Sequence, residues 1–157
     1  MNRRSSAIGI VVAALLVTAT TGRAQRDSGG LSETDRAQIQ QLSVRYLETL
    51  SACAASDYAA LFTPDGYFES GFRKRIQGTA QLIELVKSER HCTGAGSRPN
   101  TPVPAGEIRA TPQGASGRIL LPNNGGVYED VYVKSAAGWR FQSRSYWTTE
   151  ELAKRHN

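Results

Sequence analysis

The chain has 157 residues, of which 39% are hydrophobic, and a formal net charge of +5. This length supports one domain with a hydrophobic core and is too short for two. Arg3, Arg4 and Arg23 account for three of the five charges, so residues 25–157 carry +2, and no Lys/Arg-rich block indicates a nucleic-acid partner.

Residues 1–24 have the pattern of a secretory signal peptide. Arg3-Arg4 precede an apolar run over residues 7–17, and Gly22-Arg23-Ala24 supplies small residues at a cleavage point. Eleven residues are too few to cross a bilayer of about 30 Å as a helix, although a retained membrane anchor is the alternative. We therefore expect a secreted or periplasmic protein with a flexible lead-in over residues 25–31.

Three helices are predicted in the first half of the domain. Ser32 and Asp35 form a helix start, and Ile39, Leu42 and Tyr46 follow at helical spacing. The later elements are a second helix over residues 54–62, a turn over 63–66, a short strand over 67–70, a third helix capped by Thr79, and a loop over 91–104.

The second half is predicted to be a sheet that ends in an aromatic hairpin over residues 125–146. Strand candidates at 107–109 and 116–121 precede it, and its turn lies at residues 135–138. Either turn length expected there pairs Tyr132 with Phe141. It also pairs Asp130 with Ser143 and Glu129 with Arg144. One face then carries Tyr128, Asp130, Tyr132, Trp139, Phe141 and Ser143.

On the other face of this hairpin, Glu129 and Arg144 are expected to form a cross-strand ion pair. Thr148 with Glu151 predicts a second helix cap at the start of a short basic tail over residues 148–157.

Cys53 and Cys92 are the two cysteines of the chain. In an oxidising compartment we expect them to form a disulfide. Two separate buried thiols are the alternative. A catalytic thiol next to His91 is the weakest interpretation, because no third group orients that histidine.

Several short motifs in this order resemble the SnoaL-like group of the nuclear-transport-factor-2-like superfamily. They are Arg45-Tyr46, Leu-Phe-Thr-Pro-Asp-Gly-Tyr at 61–67, Gly78, Gly-Val-Tyr-Glu-Asp at 126–130 and Gly-Trp-Arg-Phe-Gln-Ser-Arg at 138–144. The resemblance covers residues 32–147. It implies one α+β domain of the cystatin-like kind, in which a curved antiparallel sheet wraps around N-terminal helices as a cone with an apolar cavity.

The resemblance also shows a departure from the family's enzymes. Their Leu-Asp-x-x-Asp pattern falls here on Ser51 and Ala54, and their histidine position falls near Thr101. Asp130 remains as the candidate catalytic residue, with His91 as a candidate assisting group. The alternative for Asp130 is a structural role, bonded to Ser143 or to Arg45.

The predicted ligand-binding residues are the aromatic ones, which are otherwise ordinary core: Tyr46, Tyr128, Tyr132, Trp139 and Phe141. No cofactor or metal site is expected, because His91 and His156 lie far apart without a Cys/His cluster. The predicted function is an exported module that binds a small apolar or aromatic molecule. The alternatives are a cofactor-independent lyase or isomerase of the dehydratase or cyclase type using Asp130, and a homodimeric association domain.

Overall fold

A computed structural model describes residues 30–98 and 103–155 of the chain. The predicted signal peptide over residues 1–24, most of the lead-in, Thr101 and His156 lie outside the described residues, so the expectations for them stay predictions.

The described residues form four helices and six strands. In chain order these are α1 (Glu33–Ser51), α2 (Ala55–Ala60), β1 (Phe62–Ser70), β2 (Arg73–Gln77), α3 (Thr79–Lys87), β3 (Glu107–Thr111), β4 (Gly114–Leu120), β5 (Val127–Ser135), β6 (Gly138–Trp147) and α4 (Thr149–Arg155). None of the described helices is both long and apolar enough to span a membrane.

Helix α1 begins where the sequence predicts it. The Oγ atom of Ser32 accepts a hydrogen bond from the backbone N–H of Asp35 at 3.1 Å, which satisfies a donor that the helix itself leaves unpaired. The buried face carries the predicted Ile39, Leu42 and Tyr46, and it also carries Ser43. Ser43 is therefore a polar residue within the apolar stripe of α1.

The region between α1 and α3 differs from its prediction in four details. Helix α2 is shorter than expected, and the predicted turn at 63–66 is an irregular segment inside β1, because pairing with β6 resumes only at Tyr67. Strand β2 was not predicted. Gly78, with φ of 83°, is the N-cap of α3 in place of Thr79, since glycine tolerates this left-handed conformation.

The six strands form one curved sheet in the order β2-β1-β6-β5-β4-β3. All neighbours are antiparallel except β1 and β6, which run parallel, so the expected antiparallel sheet contains one parallel pair. The α+β cone predicted for the domain is confirmed. Helix α1 packs against β6 and is anchored to β3 by Arg36, whose Nη1 donates to the carbonyl of Ile108 at 2.8 Å.

The hairpin of β5 and β6 contains a bulge that changes half of its predicted register. Tyr132 pairs with Phe141 as expected, but the next pair is Val131 with Ser143, so Gln142 is an extra residue in β6. Beyond this bulge the predicted pairs are wrong.

Asp130 pairs with Arg144, and Glu129 pairs with Ser145. One added residue reverses the faces of a strand, so Arg144 moves to the inner face and Ser143 to the outer one. The predicted Glu129–Arg144 ion pair is therefore absent.

The bulge is matched by the irregular segment of β1. Gln142 accepts a hydrogen bond from the Thr63 hydroxyl at 3.1 Å and donates one to the carboxylate of Asp65 at 3.4 Å. The backbone N–H of Phe141 donates to the carbonyl of Leu61 at 2.9 Å. Two irregular segments on neighbouring strands thus stabilise each other.

The core fills the inside of the sheet with aromatic rings. Tyr46 of α1 packs on Tyr58 of α2 at a centroid distance of 5.1 Å, and Phe62 packs on Phe141 at 5.1 Å. Burial of each such side chain contributes about 1.5–3 kcal/mol. The predicted disulfide between Cys53 and Cys92 is present and joins the end of α1 to the loop after α3.

Asp35 ties the start of α1 to the β5–β6 hairpin. Its Oδ1 accepts hydrogen bonds from Lys134 Nζ at 2.7 Å and from Trp139 Nε1 at 2.8 Å. The hydrogen bond from Lys134 has the larger effect and the one from Trp139 the next, and they lower the pKa of Asp35 from 3.8 to about 2.

We expect Asp35→Asn to lower the free energy of unfolding at pH 7 by about 1 kcal/mol, since charge-assisted hydrogen bonds near the surface are partly screened. Because the folded-state pKa is the lower one, this stabilisation is present above pH 4 and is lost as the pH falls toward 2. Urea unfolding of both proteins at pH 7 and pH 2 measures it. Glu48→Gln, at an exposed carboxylate of the same helix, is the control. A difference that is equal at both pH values contradicts the prediction.

Candidate functional site

The centre of the domain contains a buried ion pair between Asp130 of β5 and Arg144 of β6. Arg144 Nε donates to Asp130 Oδ1 at 2.9 Å and Arg144 Nη2 donates to Oδ2 at 2.7 Å, which is a two-point contact. Asp130 is 2% exposed and Arg144 is fully buried. Removal of either charge would leave the other one buried without a partner.

Three aromatic rings enclose the guanidinium group of Arg144. Its Cζ lies 4.4 Å from the ring centre of Tyr46, 4.5 Å from that of Tyr128 and 4.4 Å from that of Phe141. The π faces of aromatic rings attract cations at such distances. Within the described part of the chain, Arg144 Nη1 has no hydrogen-bond partner. The guanidinium group is thus held by hydrogen bonds from Nε and Nη2 and by its contacts with the three rings.

Ser43 and Tyr132 extend the ion pair into a network of four side chains. Arg144 Nη2 donates a second hydrogen bond to Ser43 Oγ at 2.8 Å. The Tyr132 hydroxyl donates to Asp130 Oδ2 at 2.7 Å. Helix α1 and strands β5 and β6 are thus joined by polar contacts inside an otherwise apolar core.

A cavity of about 150 Å³ lies between α1 and the β3–β4 hairpin. Its walls are mainly aliphatic, and Ser43 and Tyr132 are the lining residues that belong to the buried network. The lining consists of Ile39, Gln40, Ser43, Val44, Val103, Pro104, Ala105, Gly106, Ile108, Ile119 and Tyr132. The cavity thus combines apolar walls with a small polar surface of fixed geometry.

The charges and protons of the network are fixed by their surroundings. Burial alone would lower the pKa of Arg144, but the charge and hydrogen bonds of Asp130 outweigh it, and the pKa is raised. Burial, followed by the charge of Asp130, raises the pKa of Tyr132. Both groups therefore stay protonated at neutral pH.

The predicted ligand-binding residues do not all meet at this cavity. Tyr132 lines it, whereas Tyr46 and Phe141 are packed in the core around Arg144. Trp139 lies at a separate surface depression beside α1, and Tyr128 packs on Tyr146 at a centroid distance of 5.5 Å. The aromatic face of the hairpin therefore forms mostly core.

The two predicted catalytic residues lie apart. Asp130 is held by Arg144 and Tyr132, and it does not line the cavity. Its partner is Arg144, whereas the expectation for a structural role named Ser143 or Arg45. His91 lies outside the cavity lining, next to the disulfide, where its Nε2 contacts the carbonyl of Leu50 at 2.8 Å.

His91 and the two cysteines also come together in a way that resembles a metal site. His91 Nε2 lies 3.2 Å from the sulfur of Cys92, and all three candidate ligand atoms lie within 4.8 Å of one another. A cysteine binds a metal through its thiolate, but here the sulfurs of Cys53 and Cys92 are bonded to each other. The disulfide also leaves no thiol for nucleophilic chemistry.

Ser43 and Arg144 are the network residues that the sequence reasoning missed. Ser43 carries a signal, because it stands between Ile39 and Tyr46 on the apolar stripe of α1 where a hydrophobic residue would be expected. The sequence around Arg144 gives no such signal, because the inward position of this side chain depends on the bulge at Gln142.

Residues 32–145 match the SnoaL-like domain family. The comparison with curated proteins finds no match.

Three of the similar solved structures illustrate the fold. An NTF2-like protein with a cystatin-like fold from Novosphingobium aromaticivorans is 17% identical, with a TM-score of 0.63 over 76% of this chain and 88% of that one. Aln2 from a Streptomyces species is 14% identical, with a TM-score of 0.63 over 81% and 99%. A protein from Catenulispora acidiphila, in complex with S-DNPA, is 18% identical, with a TM-score of 0.62 over 75% and 96%.

We expect Asp130→Ala to lower the free energy of unfolding by about 3–5 kcal/mol, because it leaves Arg144 buried and unpaired. Glu129→Ala is the matched control on the same strand: its carboxylate is 41% exposed and lies 3.8 Å from Arg155, so its loss costs under about 1 kcal/mol. Urea unfolding of both variants measures the two values. A larger loss in the free energy of unfolding for Glu129→Ala than for Asp130→Ala would contradict the observed pairing of Asp130 with Arg144.

Proposed function

The chain belongs to the SnoaL-like domain family, and we propose that it binds a small apolar or aromatic molecule in the cavity between α1 and the β3–β4 hairpin. The observation that carries this proposal is the inner surface of the cavity, where Ser43 and Tyr132 are fixed by the buried Asp130–Arg144 pair. Ligand sites in proteins typically combine apolar walls with a few polar groups placed in this way.

The volume of the cavity sets the size of the ligand. About 150 Å³ is the size of an engineered apolar protein cavity that holds benzene. A molecule with one six-membered ring therefore fits, and a fused-ring polyketide or a steroid exceeds the space. Ile39, Ile108 and Ile119 supply the aliphatic walls against which such a ring packs.

The arrangement supports binding more than acid–base catalysis. A general base must reach the proton of its substrate within about 2.6–3.2 Å. Asp130 already accepts three hydrogen bonds from Arg144 and Tyr132, its side chain is fully buried, and it does not line this cavity. The family's carboxylate positions at Ser51 and Ala54 are also occupied by residues that cannot ionise.

The neighbour from Catenulispora acidiphila gives independent support for a bound small molecule. It shares the fold and was solved in complex with S-DNPA. A domain of this fold can therefore accommodate a ligand. The ligand of the present chain is inferred from its own cavity.

Blocking the cavity tests the proposal. Val44 lines the cavity and is 43% exposed, so it lies at the opening, and Val44→Trp should close it. Val131→Trp is the matched control, because Val131 is 42% exposed on the outer face of the sheet.

We expect toluene to shift the backbone amide signals of Ile108 and Ile119 in NMR titrations of the original protein and of Val131→Trp. These shifts should be lost in Val44→Trp, whose fold is checked by circular dichroism. Equal binding by Val44→Trp, or no binding by the original protein, contradicts the proposal.

A further inference from the structure

We infer that Cys53, Cys92 and His91 form a metal site controlled by redox state. The disulfide blocks this site, and its reduction by a dithiol opens it for one thiol-binding divalent cation such as Zn²⁺. The three residues lie near the end of α1, outside the lining of the cavity, so the inference goes beyond the proposed function and does not depend on it. It follows from the positions of the three ligand atoms and from the backbone that carries them.

The three ligand atoms already lie close to the separation that a zinc ion requires. Zn–S bonds are about 2.3 Å and Zn–N bonds about 2.0–2.1 Å, so neighbouring ligand atoms of a tetrahedral site lie about 3.5–3.8 Å apart. His91 Nε2 lies 3.2 Å from Cys92 Sγ, and all three ligand atoms lie within 4.8 Å of one another. The fold therefore gathers two sulfurs and an imidazole nitrogen around one point, although Cys53 and Cys92 are 39 residues apart in the sequence.

The backbone on both sides of the disulfide is held by hydrogen bonds of its own. The N–H of Cys53 donates to the carbonyl of Leu50 at 3.1 Å, and the N–H of Cys92 donates to the carbonyl of Glu89 at 2.9 Å. Helices α2 and α3, which lie between the two cysteines in the chain, pack against each other. The Cα atoms of the cysteines are 5.6 Å apart, so after reduction a rotation about each Cα–Cβ bond separates the sulfurs to the distance that a cation needs.

A dithiol reductant converts the blocked site into the open one. Its thiolate attacks one sulfur of the disulfide, and its second thiol then releases the mixed disulfide, so the two-electron reduction of the cysteine pair is matched by oxidation of the dithiol. The two cysteine thiols give up their protons to solvent when they bind the cation. Cys53, Cys92 and His91 are all half-buried, so the reductant and the cation reach them from the surface.

His91 supplies the third ligand atom at little cost to its surroundings. Its Nε2 contacts the carbonyl of Leu50 at 2.8 Å. Because that carbonyl also accepts the hydrogen bond from the N–H of Cys53, it keeps a partner when Nε2 binds a cation instead. The neutral imidazole then carries its proton on Nδ1.

The donor set determines which cations the site accepts. Two thiolates and one imidazole, with water in a fourth position, form a zinc site that proteins use. Mg²⁺ and Ca²⁺ prefer oxygen ligands and are therefore not expected to bind.

A cobalt titration tests the inference, because Co²⁺ replaces Zn²⁺ and absorbs light when thiolates bind it. The protein, purified without an affinity tag, is reduced with a phosphine, which is removed under argon before the titration. We expect a thiolate-to-cobalt charge-transfer band that saturates at about one Co²⁺ per chain and disappears when Zn²⁺ is added. The oxidised protein should give no such band.

His91→Ala removes the imidazole and keeps both thiols. We expect the reduced variant to bind Co²⁺ at least about tenfold more weakly, since loss of even an outer partner of a metal ligand typically weakens binding about 10–100-fold. His156→Ala, at the other histidine of the chain, is the matched control and should bind as the original protein does. Equal affinity of His91→Ala and the original protein would overturn the inference.

The comparison of reduced with oxidised protein needs no variant and decides the question even if His91→Ala fails to fold. Absence of the band in the reduced protein would overturn the inference, and so would the same band in the oxidised protein. Loss of the folded circular dichroism spectrum on reduction would also overturn it, because the folded backbone must hold the two sulfurs together. Binding of toluene in the cavity is measured separately and is not affected by these outcomes.

Discussion

The structure depends on the burial of Arg144 against Asp130. A fully buried guanidinium group is stable only when its charge is neutralised, because the transfer of an unpaired charge out of water costs several kcal/mol. Asp130 provides the charge, Ser43 accepts a further hydrogen bond, and the rings of Tyr46, Tyr128 and Phe141 cover the group. The pair therefore holds α1, β5 and β6 in one arrangement. A shift of any of them would separate the charges inside the core.

The same pair prepares the cavity. Because Tyr132 donates to Asp130 and Ser43 accepts from Arg144, the oxygen atoms of the two hydroxyl groups are held in place. For the ligand that we propose, such groups would lose little freedom on binding, which favours affinity in a small cavity. The disulfide at Cys53 and Cys92 stabilises a separate part of the fold, at the end of α1, and His91 lies there and not at the cavity.

Local signals in the sequence predict much of this fold. The Ser32–Asp35 cap, the stripe on α1 and the turn at residues 135–138 each depend on neighbouring residues, and each is observed. The bulge at Gln142 is different, because its partners Thr63 and Asp65 lie on β1, about 80 residues earlier in the chain. Reasoning confined to the hairpin cannot include that contact. The hairpin residues alone therefore predict Arg144 opposite Glu129 and Asp130 opposite Ser143. Three of the predicted ligand-binding residues, Tyr46, Tyr128 and Phe141, instead enclose the guanidinium group of Arg144.

The central claim is that Asp130 and Arg144 stabilise the domain jointly, and a double-mutant cycle tests it most directly. The free energies of unfolding of Asp130→Ala, Arg144→Ala and the double variant are compared with that of the original protein. We expect each single substitution to lower the free energy of unfolding strongly. The double substitution should lower it by at least about 2 kcal/mol less than the sum of the two single effects, because the second substitution removes the unpaired charge that the first one leaves. Additive effects within about 0.5 kcal/mol would contradict the account.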